Sequence, residues 1–347
     1  MRSRWLTLQV ACVYIGTVVG AGFASGREIY QFFAQYGIVA YASIGLVTLL
    51  FAWLGYRLMA LGAKLGAQSF RDLTTYVFPP RLAQAMDGVV LMMLFGTTVA
   101  MLAGTGELFR ERLGLPFSFG VAVGIVVTMW TMMFGMNGLL KVNSFIVPSL
   151  TAFVLFVTLH TAMYGDGFAH ALHPPGIANQ FGLPVWVNAL LYAALNIGLS
   201  IGVLVPLGGQ IRSRKVLSQG ALLGALGLGG LLACVAFCLF AYMPGIRAYA
   251  IPMGYIAAQF PTWLTALFIA VLFGEIYSTL VGNIYSMAAT IARSRRQVLL
   301  ASLVTLVVAG LLSHFGFRAI VAYAYTAFGW ISLWFLTMLI IARVRLR

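Results

Sequence analysis

Charge is what this chain has least of: only 8% of its 347 residues are Asp, Glu, Lys or Arg, against 62% hydrophobic, and the mean hydropathy is +0.98. Soluble domains carry about 25% charged residues, so an ordinary water-soluble fold is excluded and an integral membrane protein remains. Acids are scarcer still, seven against twenty-one Lys and Arg, leaving a formal charge of +14. Cysteines number three, and Cys12, Cys234 and Cys238 all fall in apolar stretches, which excludes a disulfide framework and marks them as small packing residues. The four histidines, His160, His170, His173 and His314, lack the HExxH spacing of a zinc peptidase. No Gly-rich phosphate loop with Lys and Ser/Thr follows a strand, so an enzyme is not expected. Alternating segments of about ten residues, the mark of a membrane barrel, are also missing; apolar runs of about 20 residues recur instead.

These runs predict an all-α membrane protein of ten spans, near 5 to 36, 38 to 60, 86 to 108, 117 to 135, 141 to 164, 184 to 210, 216 to 242, 262 to 290, 297 to 314 and 319 to 342. No linker separates soluble domains, so 1 to 347 is expected to be one transmembrane domain. With the N-terminus inside, sixteen Lys and Arg fall on the cytoplasmic side and only Arg110, Arg112, Arg247 and Arg318 outside, Arg27 lying within a span. The positive-inside tendency therefore predicts a plasma-membrane protein with both termini cytoplasmic. It accounts for the basicity without nucleic acid, anionic lipid of the inner leaflet being a sufficient partner. Arg2 and Arg4 before an apolar run, with GAGFASG behind it, imitate a secretory signal, but the run continues through IYQFFAQYGIVAYASIG as a retained span does. The interruption 64 to 85 mixes aromatic and basic residues and reads as an interfacial segment; AYAIPMGYIAAQFP reads either as short lid-like helices or as an ordinary loop.

Within the first span, GTVVGAGFASGRE places four glycines and an Arg27/Glu28 pair where a membrane helix should be regular. Glycine disfavours a helix interior by about 1 kcal/mol, and lipid cannot hydrogen-bond an opened backbone, so a break is tolerated only against protein or an aqueous cavity. The sixth span carries a similar cluster, Asn196, Gly198, Ser200 and Gly202, with Pro206 and the Gly208/Gly209 pair beyond it. Five spans separate the two, an odd number, so they cross in opposite directions. Two sets of five with broken first members predict an inverted repeat, near 5 to 164 and 184 to 342, with the binding site where helices 1 and 6 are interrupted. The competing reading is that the glycines only allow close helix packing.

GTVVGAGFASGREIYQFF, with NIGLSIGVLVPLGG in the sixth span, resembles the YkvI-type permeases of the amino acid, polyamine and organocation transporter superfamily. The resemblance spans the whole chain and implies the LeuT-type fold, a five-plus-five inverted repeat that works by alternating access on amino acids or related small organic solutes. It does not supply the solute.

At the first break, the Ser25 and Gly26 amides at the start of an outer half-helix would suit a carboxylate. Carbonyls from Gly20, Ala21, Gly22 and Phe23 would suit an ammonium or a metal cation. Asn196 and Ser200 either add polar contacts to a solute or satisfy their own helix. Arg27 and Glu28 should face a partner or water, since a central charge costs about 2.5 to 3.5 kcal/mol on insertion scales. In LeuT-type transporters an arginine here closes against an acid on helix 10; the tenth span has no acid, leaving Glu28, Glu275 or solute as partners for Arg27.

On the eighth span Glu275, Ser278, Thr279, Gly282, Asn283 and Ser286 recur at helical spacing as one polar or small stripe, which either binds helices together or lines a site. The resemblance implies a coupling sodium held by a helix 8 carbonyl, hydroxyls three and four residues on, and helix 1 carbonyls: Gly20, Phe23, Glu275, Ser278 and Thr279 match. A carboxylate at Glu275 departs from that pattern and admits a proton as the coupling ion, since a desolvated glutamate exchanges protons near neutral pH. No other cofactor is expected. The function expected is ion-coupled secondary transport; a sensor that binds without transport, or a channel-like pore, is the alternative. Oligomeric state is not legible.

Overall fold

The computed structural model describes residues 2–134, 139–163, 182–211, 213–291 and 294–341, without side chains at 2, 3, 134, 139–147 and 289–291. Five of the basic residues assigned inside, Arg212, Arg293, Arg343, Arg345 and Arg347, and the histidines His170 and His173, lie outside these residues. Every regular element among the described residues is helical: α1 (Arg2–Val18), α2 (Ala21–Ala24), α3 (Arg27–Phe32), α4 (Val39–Leu65), α5 (Phe70–Val77), α6 (Pro80–Leu113), α7 (Phe117–Phe134) and α8 (Leu139–Met163) come first. Then follow α9 (Val185–Ile211), α10 (Arg214–Ala241), α11 (Pro252–Ala257), α12 (Thr262–Ile291), α13 (Arg295–Leu312), α14 (Phe317–Ile320), a π-helical turn (Val321–Tyr325) and α15 (Thr326–Ile341).

Among the described residues, seven helices are long and apolar enough to cross a membrane, and two shorter apolar ones lie at Phe117–Met133 and Pro148–Met163. Their ends follow backbone chemistry. Pro80 opens α6 where a missing N–H costs nothing, and left-handed glycines close α4 at Gly66 (φ 60°) and α6 at Gly114 (φ 65°). Large apolar side chains such as Leu49, Trp130, Leu311 and Ile341 point outward, while Glu28, Gln31, Thr98, Thr105, Asn188 and Glu275 are buried. A polar interior beneath an apolar exterior is what a lipid-facing bundle requires.

Two groups of helices pack around the first segment. In one, α4 and α10 flank each other, α9 packs on α4 and α15, and α1 lies on α10 and α9; in the other, α6, α7, α12 and α13 pack mutually. The short α2 touches α12 and α6, whereas α3 touches α9, α10 and the π-helical turn. The interrupted segment thus sits at the seam between the groups.

Within 64 to 85, the segment expected to be interfacial, lies α5, closed at its start by a capping box in which the Asp72 carboxylate accepts the Gln68 and Ser69 amides at 2.8 and 2.9 Å. Those hydrogen bonds hold the Asp72 carboxyl below its usual range. Asp87 docks α5 on α6 through Arg71 at 3.2 Å and Thr74 at 3.2 Å.

Candidate functional site

The first helix is interrupted twice. Val19 N–H makes the last α1 bond, to Ile15; Gly20 is extended (φ −137°, ψ −172°); a single turn, Ala21–Ala24, follows; and Gly26 is left-handed (φ 75°) before α3 begins. Only glycine adopts that last conformation without strain. Among the described residues, the Val18 and Val19 carbonyls and the Ala21, Gly22 and Phe23 amides have no backbone partner. The break therefore presents open acceptors and open donors within one turn.

The groups expected to serve as ligands are partly engaged. Ser25 N–H donates to the Ala21 carbonyl at 2.8 Å and Gly26 N–H to Phe23 at 2.9 Å, while the Gly20 carbonyl receives Ala24 N–H at 2.8 Å. The Ser25 hydroxyl donates to the Gly22 carbonyl at 3.0 Å and accepts Arg27 N–H at 3.2 Å, as a turn-stabilising serine does. Free donors accordingly sit four residues earlier than Ser25 and Gly26, at Ala21 to Phe23. From outside the motif, the Met253 amide donates to the Ser25 carbonyl at 2.9 Å and anchors α11 on the break.

Arg27 and Glu28 part company. Arg27 is 2% exposed, stacks over the Tyr30 ring at 5.1 Å, and leaves Nε and Nη1 without a hydrogen-bond partner. It forms no ion pair with Glu28 or Glu275. Glu28, also buried, folds back on Gly22, where a Cβ would meet its Oε1 at 1.8 Å, and lies within electrostatic range of Tyr192 and Tyr325.

On α12, the Ser278 and Thr279 hydroxyls both donate to the Glu275 carbonyl, at 3.2 and 2.9 Å. A Cβ on Gly20 would stand 3.9 Å from Thr279 Oγ1, so the Thr279 hydroxyl abuts the extended residue of the first break. Glu275 is 2% exposed and its Oε1 has no partner. A buried carboxylate without a donor is costly unless it takes a proton or meets a cation. Further along the same face the stripe divides: Asn283 donates to Thr97 on α6 at 2.9 Å, joining helices, and Ser286 is exposed. The helix-joining use expected of the stripe is seen at Asn283.

The expected second break is corrected by the structure. Asn196, Gly198, Ser200 and Gly202 lie inside α9, a helix continuous from Val185 to Ile211. The Ser200 hydroxyl donates to the Asn196 carbonyl at 2.7 Å and the Asn196 amide to the Tyr192 carbonyl at 3.0 Å, so both serve their own helix. The glycines here are spacers. A Cβ at Gly208 would lie 1.9 Å from the Met59 carbonyl oxygen, one at Gly209 2.1 Å from that of Ala67, and one at Gly62 of α4 2.0 Å from that of Val205. Helices α4 and α9 meet backbone to backbone, a close approach only small residues permit.

Arg27 faces a cavity of about 570 Å³ that is also lined by Gln31, Gln35, Arg247 and Arg318. Gln31 and Gln35 follow Arg27 at four and eight residues, a helical signal that could have been read; Met253, Arg247 and Arg318 are brought in by distant elements and left no local mark. At the other end of α4 a second cavity, about 430 Å³, carries Arg57, Lys64 and Arg214.

No protein-family model matches the chain. It is 30% identical to the uncharacterized membrane protein YkvI of Bacillus subtilis (strain 168), over 98% of this chain and 96% of that protein. It is 26% identical to the uncharacterized protein YyaD of the same organism, over 97% and 96%. Among solved structures, MhsT in complex with L-phenylalanine aligns over 94% of this chain and 87% of that one (15% identity, TM-score 0.68). A Na+-coupled sialic acid symporter, substrate-bound and outward-open, covers 94% of this chain and 75% of its own (14% identity, TM-score 0.65). A manganese transporter of Eremococcus coleocola, as a point variant, aligns over 96% of this chain and 78% of that one (13% identity, TM-score 0.64). The shared architecture is the LeuT-type fold.

Proposed function

The chain belongs to the family of the membrane protein YkvI, and from that premise we propose that it is a secondary active transporter of an amino acid or related small organic solute, driven by sodium or protons. The observation that carries this is the abutment of the doubly interrupted first helix on the Thr279 hydroxyl, which shares the Glu275 carbonyl with Ser278, with Glu275 itself buried. Interrupted helices at the seam of two packed groups are where transporters of this architecture hold cargo.

In this proposal the interrupted first segment, the seven long helices and the two shorter apolar ones make ten crossings, as a five-plus-five inverted repeat with both termini cytoplasmic in the plasma membrane. The symmetry does not extend to matching breaks, since α9 is whole. Open donors at Ala21 to Phe23 serve a solute carboxylate. Gly20, Phe23, Ser278 and Thr279 serve a sodium ion through carbonyls, each with a second lone pair, and hydroxyls; Glu275 serves a proton. The Arg57, Lys64 and Arg214 cavity suits the headgroup of an anionic lipid on the cytoplasmic side.

Reconstitution into liposomes with imposed sodium or proton gradients tests the class of function. A coupled carrier accumulates labelled solute above the external concentration, a channel only equilibrates it, and a sensor binds without either. Accumulation that is abolished by collapsing the gradient is the expected result; binding without uptake would overturn the proposal.

A further inference from the structure

The cavity above the first break gathers positive charge, and among the described residues the one acid that attracts Arg27 is Glu111, which makes no ion pair with it. Arg27 projects into it from α3, Arg247 from the 245–248 turn and Arg318 from the start of α14, with the amides of Gln31 and Gln35 on the Arg27 face. Arg27 is 2% exposed with Nε and Nη1 unpartnered, and Arg247 Nε is buried and unpartnered as well. Arg318 is near enough to Arg27 for the two cations to repel. Arg27 is desolvated, Arg247 half-buried and Arg318 exposed, and the unpartnered nitrogens of the inner two cost more than they return unless something anionic joins them.

The acids nearest the cavity among the described residues are otherwise engaged. Glu111 spends both carboxylate oxygens on the Ala250 and Ile251 amides, at 2.6 and 3.2 Å. Glu107, whose Oε1 comes within 3.9 Å of a Cβ placed on Gly316 at the cavity edge, is paired with Arg110 at 2.6 Å. Glu28 turns away, onto Gly22. Asp166 lies outside the described residues.

We infer that this cavity binds an organic anion through its carboxylates, so that the solute carries a net negative charge and not the balanced charge of a simple zwitterion. The guanidinium fork matches a carboxylate in a way that a spherical ammonium charge does not, and a volume of about 570 Å³ falls within the range of small-molecule sites. One carboxylate meets Arg27, the deepest of the three; Arg318 and Arg247 take the second. The inference rests on the transporter reading for its consequence, the selection of cargo, but not for the binding itself.

Thermal unfolding of the purified full chain in nanodiscs, followed with L-glutamate, L-glutamine, succinate, succinamide, sulfate and phosphate, tests it. L-Glutamate and succinate should raise the midpoint with at least tenfold tighter half-saturation than their neutral amides. Arg318→Gln, at an exposed position, should weaken both anions about tenfold while leaving the ligand-free midpoint unchanged; Arg27→Lys, which keeps the charge but loses the fork, should weaken them further. Equal binding of the amides would overturn the inference, as would sulfate or phosphate binding with the carboxylates inert, or an unchanged affinity in Arg318→Gln. Uptake separates the two claims: anions that bind but never accumulate sink the transporter reading alone, whereas accumulation of neutral solutes with anions inert sinks this inference alone.

Discussion

Two membrane segments of this chain each carry four glycines and have opposite structures. In GTVVGAGFASGRE the backbone opens at Gly20 and turns left-handed at Gly26; in NIGLSIGVLVPLGG it runs helical from end to end. The difference lies in what faces each glycine. Gly62 and Gly208 meet carbonyl oxygens of a neighbouring helix, and Gly209 that of Ala67 just past the end of α4, so regular backbone is what lets α4 and α9 touch. Gly20 and Gly22 meet side chains instead, Thr279 and Glu28, and Gly26 meets the side chain of Met253. From Val205 to Gly209 a packed backbone forbids opening; Gly198 faces the Ser332 side chain and Gly202 open space, and the helix runs through both.

Substitution should separate these uses. The largest loss of stability is expected from Gly208→Ala, whose Cβ falls 1.9 Å from a carbonyl oxygen that cannot swing aside. Overpacking of this kind costs on the order of 3 kcal/mol, read as a lowered unfolding midpoint and a smaller folded fraction on size exclusion, with uptake per folded molecule retained. Gly26→Ala should cost about 1–2 kcal/mol for a left-handed non-glycine residue. Met253, the nearest atom at 2.8 Å, is flexible enough to move. Here uptake should fall about tenfold while most protein stays folded, because α3 and Arg27 are re-aimed. Ser200→Ala removes only a hydroxyl bonded within its own helix, so a change of about 1 kcal/mol or less and uptake within about twofold are expected. If Ser200→Ala silenced uptake as Gly26→Ala does, the two segments would be equal partners in the site and the contrast would collapse.

Much of this molecule was legible in its residues. Scarce charge and recurrent apolar runs are global signals, and the helices follow from them; the first break is local and marked itself by glycines beside Arg27 and Glu28. The Ser278/Thr279 pair could be read because helical spacing alone brings both hydroxyls to one carbonyl. The second break was misread because Asn196 to Gly202 carries the same residues as a break, and the deciding fact, Gly62 and Met59 on α4, lies more than a hundred residues away. The absence of any acid from the tenth span showed that Arg27 lacked its expected partner. It did not show that Arg247 and Arg318 would gather around it, since that depends on a turn and a helix start placed only by the folded chain.

The claim on which the rest depends is that ion coupling resides where the first break meets α12. Gradient-driven accumulation by proteoliposomes containing Glu275→Gln and, separately, Thr279→Val measures it directly, with Ser200→Ala as the control from the intact helix. Glu275→Gln is expected to lose its response to the proton gradient or Thr279→Val its response to the sodium gradient, by about tenfold or more, while Ser200→Ala keeps both. Full dependence on the driving gradient in both α12 variants would contradict it.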